Sequence, residues 1–352
     1  MISPEKFPAS RAAVLGAGLE QMPAIRMAQE CGVHVLALDR DPSAPGLAIA
    51  DAARVVDPAN AELALEACRD AGVNFLLPTP MGALLEVAGQ INEKLGLPGI
   101  RCEAARLCAD KLAMRRRLAE AGLRQPIFHE LTDCSEIVHV AAAMGWPVVI
   151  KPRFGSGSHG VVVLDCPADV KAHIEWHRQH AGRGGAHAST LIEECIEGPE
   201  FGMDAVMTNG RFQMICLRRK EVTALPFRLA LGVSTPPELA PWEITGLSLV
   251  ADCACRALGL DDCLVHVDLI LESGTGHGIV IELSGRPSGF RISSHFVPQV
   301  KGFEPVREMI RYYQGFPAEF SARIDRAGVM RIKAPYASGN DPSFTSTAIG
   351  TP

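Results

Sequence analysis

Val148-Val149-Ile150-Lys151-Pro152-Arg153-Phe154-Gly155-Ser156-Gly157-Ser158 puts a lysine at the end of an apolar strand and a glycine-serine loop directly behind it. Holding a polyphosphate requires a cation beside unshielded backbone N–H groups, and glycine lets such a loop take the left-handed conformations involved. Further on, Leu191-Ile192-Glu193-Glu194-Cys195-Ile196-Glu197-Gly198-Pro199-Glu200-Phe201 is an apolar strand running into carboxylates, suited to an adenosine. With Asp268 and Glu282 beyond them, the two segments read as an ATP site with bound magnesium.

The rest of the 352 residues fits a small-molecule protein of two or three domains with a large core. Hydrophobic residues make up 47% and charged residues 21%, with no low-complexity block, so most of the chain folds. A formal net charge of −6 offers no basic stripe for nucleic acid. No apolar run is long enough to span a bilayer. Met1-Ile2-Ser3-Pro4-Glu5-Lys6 lacks the pattern of a secretory signal. Eleven cysteines without a CxxC pair fit reduced, buried thiols, so a cytoplasmic location is expected. Cys253 and Cys255 point apart on a helix and are not expected to bind metal.

The first hundred residues alternate short apolar runs with helical patterns: a strand at 12–16, a helix at 22–31, a strand at 33–39, a helix at 61–71, a strand at 74–78 and a helix at 84–95. Such alternation implies a parallel sheet with right-handed crossovers. Gly16-Ala17-Gly18, with Asp39 as a ribose acid, invites a dinucleotide-binding reading. Gln21 stands where the third glycine of that fingerprint belongs, so the turn is read as a tight strand-to-helix connection.

From Leu107 an amphipathic helix runs to Leu118 and ends at Gly122, with Arg115-Arg116-Arg117 read as a solvated face. After Pro126 come a strand (127–131), a helix (135–144), the Lys151 strand, a strand (160–165) and a helix (168–180). This compact βαββα insert, at about 127–190, looks like a lid, and Gly182-Arg183-Gly184-Gly185 breaks the chain before the Glu193 strand. His173, His177 and His180 share one helix face at metal-ligand spacing, but an exposed lid face is the plainer reading. Arg218-Arg219-Lys220 reads as a solvated turn or, with Thr223 to Pro237, as a substrate loop.

These residues resemble the ATP-grasp superfamily, and the likeness runs over most of the chain. The fold it implies is α/β: a Rossmann-like parallel-sheet domain at 1–105, an ATP-grasp domain at 106–320 and a C-terminal strand with a polar tail at 321–352. By that resemblance Lys111, after Asp110 at a helix start, and Lys151 flank the phosphates, with Gly155, Ser156, Gly157 and Ser158 as the phosphate loop. Glu193, Glu194 and Ile196 line the adenine, and Glu200 takes the ribose hydroxyls. Asp268 and Glu282 are the magnesium carboxylates, with manganese as a substitute. The family's metal-binding Asn is replaced by Ser284, a poorer ligand. Amino-acid ligases of the superfamily vary there while keeping the following arginine, here Arg286.

The residues support these roles on their own chemistry. Two carboxylates on neighbouring strands repel unless a cation lies between them. Arg286 has the planar fork that takes two oxygens of a phosphate or carboxylate. His266 lies on the face of Asp268, as a buried histidine or a contact to the transferred phosphate. Arg286, His266 and Lys151 are therefore the expected catalytic groups. The implied reaction is ATP-dependent activation of a carboxylate as an acyl phosphate, then capture by an amine, with an L-amino-acid (dipeptide) ligase favoured. A bicarbonate-activating carboxylase or carbamoyl-phosphate-type enzyme is the alternative, and a non-catalytic ATP-binding module the reading from another class. The expected partners are a small-molecule carboxylate and amine, with the chain as a homodimer.

Overall fold

The computed structural model describes residues 10–131, 133–158, 160–180 and 189–332. The first unit contains β1 (Arg11–Leu15), α1 (Met22–Glu30), β2 (His34–Asp39), α2 (Pro45–Ile49), β3 (Ala52–Val55), α3 (Ala61–Asp70), β4 (Phe75–Leu76) and α4 (Leu85–Leu95). Its four strands are parallel, in the order β3-β2-β1-β4. β1 and β2 are apolar runs buried along almost their whole length, as a sheet covered on both faces demands. The alternation in the sequence is realised, with α2 and β3 as additions it did not announce. Asp39 does not stand free for a ribose: its Oδ2 accepts from the Ala17 N–H at 2.6 Å. Gln21, at the missing glycine, donates from Nε2 to the Pro80 carbonyl at 2.6 Å. The turn is thus tied down by its own side chains.

The expected single helix from Leu107 is two, α5 (Cys102–Ala109) and α6 (Lys111–Glu120), separated at Asp110. Asp110 has extended backbone, and its carboxylate caps α6 by accepting from the Leu112 and Ala113 N–H groups. Arg115 corrects the solvated-face reading: its side chain is fully buried.

The lid comprises β5 (Phe128–Leu131), α7 (Ile137–Met144), β6 (Val148–Pro152), β7 (Val162–Leu164), α8 (Pro167–His180) and β8 (Thr190–Glu194). Its sheet is antiparallel, ordered β5-β8-β6-β7, so the Glu193 strand is an inner strand of the lid rather than the element after it. His173 is buried, not part of an exposed face. The His177 and His180 side chains, the break at 182–185, His159, the first six residues and the tail from 333 lie outside the described residues.

The third sheet holds β9 (Glu200–Thr208), β10 (Arg211–Val222), β11 (Ala230–Thr235), β12 (Cys263–Leu271), β13 (Gly278–Ser284) and β14 (Gly328–Arg331), with α9 (Pro241–Ala257), α10 (Val297–Lys301) and α11 (Pro305–Tyr313). Its order is β13-β12-β9-β10-β11-β14, so the C-terminal strand completes this sheet. Arg218, Arg219 and Lys220 belong to β10 and not to a turn; Arg218 and Lys220 point inward, and Arg218 is 1% exposed. One core joins Val14 and Phe75 of the parallel sheet to Val206 and Ile215 of the third sheet and to Met309 and Ile310 of α11. Among the described residues, no helix is long and apolar enough to cross a membrane.

Candidate active site

A cleft of about 430 Å³ lies between the lid sheet and the third sheet. Lys111 of α6, Lys151 of β6, the loop residues Gly155, Ser156 and Ser158, and Asp268 and Glu282 all line it. Glu194, Cys195, Ile196 and Gly198 form the connection between the two sheets along its edge. Apolar walls come from Val149, Val163, Leu225, Leu269 and Ile281. Gly198 sits at φ +152, and any Cβ there would meet the Leu271 carbonyl oxygen at 2.0 Å, so only glycine passes this point. Polar groups for phosphate at one end and apolar walls at the other suit a nucleotide.

Lys151 is buried, and its Nζ lies 2.7 Å from Glu193. Burial pushes the ammonium down to about 8, against the pull of the Glu193 carboxylate. Burial alone would raise Glu193, but Arg115 and Lys151 hold it down to about 2. Glu193 was expected to line the adenine; it lines the cleft, yet its carboxylate is committed to two cations. Lys111 donates from Nζ to the Gly155 carbonyl at 2.5 Å, and the Lys111 N–H donates to the Arg153 carbonyl at 3.1 Å. Arg153 forks onto Asp110 at 2.7 and 2.5 Å and reaches Glu130 at 2.9 Å. The glycine-serine loop is therefore laced to the start of α6.

Asp268 of β12 and Glu282 of β13 are register partners on one sheet face, followed by the pair His266 and Ser284. Asp268 lies 2.9 Å from Lys220 Nζ and 3.5 Å from His266 Nε2. Burial opposes its charge, but Lys220 and His266 keep it ionised far below the usual carboxylate range. His266 Nδ1 is 2.9 Å from Ser288 Oγ, which donates to Asp204. Asp204 in turn holds Arg218 at 2.6 Å. The Ser288 proton goes to Asp204, so Nδ1–H of His266 is the donor and Nε2 faces Asp268.

Two hard carboxylates facing the phosphate end suit Mg²⁺ or Mn²⁺, which take their remaining oxygens from water and phosphate. Among the described residues, no group of three or more His, Cys, Asp or Glu side chains that could hold a metal is assembled. Ser284 is buried opposite His266 and is not among the residues lining the cleft.

The cleft gathers most of the expected residues. Glu194 lines it, although its carboxylate pairs with Arg124 at 2.9 Å. Glu200 lines it as the ion-pair partner of Arg228 and Lys220, rather than as a free ribose acceptor. Gly157 sits in the loop at φ +72. Arg286 and His266 are not among the cleft-lining residues. Arg286 borders a small void with Leu77, Pro78 and Thr79 at the parallel-sheet unit. The sequence reading missed Arg115, Arg153, Asp204 and the inward turn of Arg218 and Lys220. Arg153 was legible beside the loop; the others carry no local signal of their partners.

Residues 144–294 match the ATP-grasp domain family. The formate-dependent phosphoribosylglycinamide formyltransferase of Synechococcus sp. (strain CC9605) is 30% identical over 173 residues, 48% of this chain and 43% of that protein. The match thus spans less than half of the relative's length. The L-amino acid ligase of Bacillus licheniformis superposes with a TM-score of 0.76 at 20% identity, covering 92% of this chain and 79% of that one. The N5-carboxyaminoimidazole synthetase of Staphylococcus aureus, complexed with ADP, superposes with a TM-score of 0.76 at 16% identity, covering 93% and 83%. The two lysines, the glycine loop and the paired carboxylates thus meet in one cleft, nearly all of whose lining comes from the segment that matches the ATP-grasp domain family.

Proposed function

We propose that the protein is an ATP-dependent carboxylate–amine ligase. One observation carries this: a single cleft is lined by Lys111, Lys151, Gly155, Ser156, Ser158, Asp268 and Glu282. A carboxylate oxygen of the substrate attacks the γ-phosphorus, the bond to ADP breaks, and an acyl phosphate results. An amine then attacks the acyl carbon and inorganic phosphate leaves. The two lysines offset charge on the transferred group, and Mg²⁺ held by Asp268 and Glu282 would supply further electrostatic stabilisation there. Packing of the lid over the cleft keeps water from the acyl phosphate.

For the carboxylate we favour an L-amino acid, in a dipeptide-type ligation. Glu20 and Arg286 lie within electrostatic reach of each other, an acid and a guanidinium suited to the two ends of a zwitterion. Sequence similarity to a formate-dependent enzyme supports a second reading, in which a small carboxylate such as formate is activated. The test is ADP release with paired amino acids, with formate plus an amine and with bicarbonate, alongside hydroxylamine trapping of the activated acid. Amino-acid hydroxamate formed only with ATP supports the first reading. ADP release with formate or bicarbonate alone replaces it, and ATP binding without turnover under any condition removes the ligase.

A further inference from the structure

Arg115 is fully buried, one helical turn beyond Lys111 on α6. Its Nε and Nη2 fork onto Glu193 at 3.0 and 3.2 Å, and Glu193 in turn holds Lys151 at 2.7 Å. The same guanidinium donates to the Val280 and Ile281 carbonyls at 2.8 Å each, immediately before Glu282, and to Gln125 Oε1 at 3.0 Å. One side chain therefore touches α6, the lid strand β8 and the strand of a candidate metal carboxylate. A planar fork of five donors can do this; an ammonium cannot.

Burying a guanidinium and a carboxylate is expensive for stability alone, and pairs of this kind are often replaceable by apolar packing. Here the pair sits between the two charged halves of the cleft. We propose that Arg115 is the positioning residue of this site: a buried pin that sets Lys151 against the strand carrying Glu282, through Glu193 and the two β13 carbonyls. It acts through Lys151 and touches no substrate itself. This rests on the reading that Lys151 meets the phosphates of ATP.

The charged groups facing Lys151 are Glu193 from β8 and Arg115 and Lys111 from α6, with Glu282 of β13 across the cleft. Glu193 favours the charged lysine, while Arg115 and Lys111 oppose it. The two partners of the pin therefore move Lys151 in opposite directions. ATP binding in the presence of magnesium, measured from about pH 6 to 10, follows the charge of Lys151 and weakens as pH rises through about 8.

Arg115→Met removes a neighbouring cation, so the alkaline limb moves to higher pH while affinity at neutral pH falls about tenfold from misplacement. Glu193→Gln removes the anion and moves the limb to lower pH. Arg115→Lys keeps the charge but loses the fork, so affinity falls with the limb little moved. Opposite displacements in the first two variants support the pin. A purely structural arginine would lower the amount of folded protein without weakening ATP binding per folded molecule at neutral pH, and unchanged neutral-pH affinity in folded Arg115→Met and Arg115→Lys overturns the proposal. If neither Arg115 variant folds, Glu193→Gln decides, since it cuts the link between Arg115 and Lys151: weaker ATP binding at a pH where Lys151 stays charged supports the pin, and unchanged affinity there overturns it. Failure of the wild type to bind ATP would overturn the functional reading and the pin with it.

Discussion

Glu282 shows what one residue does here. It lies opposite Asp268 on the neighbouring strand, and Asp268 already has Lys220 as a counter-charge. The Glu282 carboxylate lines the same cleft, and its proposed role is to hold a cation there together with Asp268. Glu282→Gln keeps the shape and removes the charge. Turnover should then need much higher magnesium, with thermal stability within about 0.5 kcal/mol of wild type. Full activity of the variant at low magnesium would show that this strand pair does not hold the metal. The pairing of Asp268 and Glu282 could be suspected from the sequence, because each is a lone acid within an apolar strand-like run. The counter-charge on Lys220 could not, since β10 meets β12 only through β9.

Among the elements, α6 matters most to the cleft. Its N-cap Asp110 satisfies two N–H groups of the first turn and anchors Arg153, just ahead of the glycine-serine loop. Asp110→Ala loses both, and should cost about 0.5–2 kcal/mol of stability from the cap alone. Asp110→Asn keeps the cap but loses the ion pair with Arg153. Urea unfolding and ATP titration separate the two roles: Asn should restore most of the stability but not the ATP affinity. If the Asn variant binds ATP as tightly as wild type, the lacing of loop to helix has no part in nucleotide binding. The periodicity ran one helix through Asp110 from Leu107, and only the family resemblance put a helix start at Asp110-Lys111; the split comes from the extended backbone of Asp110. That Arg115 faces inward was not visible, because three successive arginines spread over more than half of a helical turn and nothing local says which one is covered.

For the molecule as a whole, the buried ion pairs at the lid base link stability to pH. Glu193 is held down to about 2 from its ordinary value of 4.5. A carboxylate depressed in the folded state contributes stability that is fully present above its unfolded value and is lost as pH falls through its folded one. The urea midpoint should thus fall between about pH 5 and pH 2, and less steeply in Glu193→Gln than in wild type. Equal slopes in the two proteins would mean that the Arg115–Glu193–Lys151 cluster does not report on global folding.

Local signals in the chain determined the alternation of the first hundred residues, the glycine-serine loop behind Lys151 and the carboxylates on two late strands. Each depends on residues a few positions apart, through periodicity, capping or backbone freedom at glycine. Tertiary structure decided which charges face one another. Arg115 meets Glu193 across 78 positions and Arg218 meets Ser288 across 70, distances over which no periodicity speaks. It also drew Arg286 toward the parallel-sheet unit and turned Arg218 and Lys220 inward along β10. The physical reason is burial: an ion taken out of water must find its partner wherever the packed sheets bring one, and the sequence around it does not record where that is.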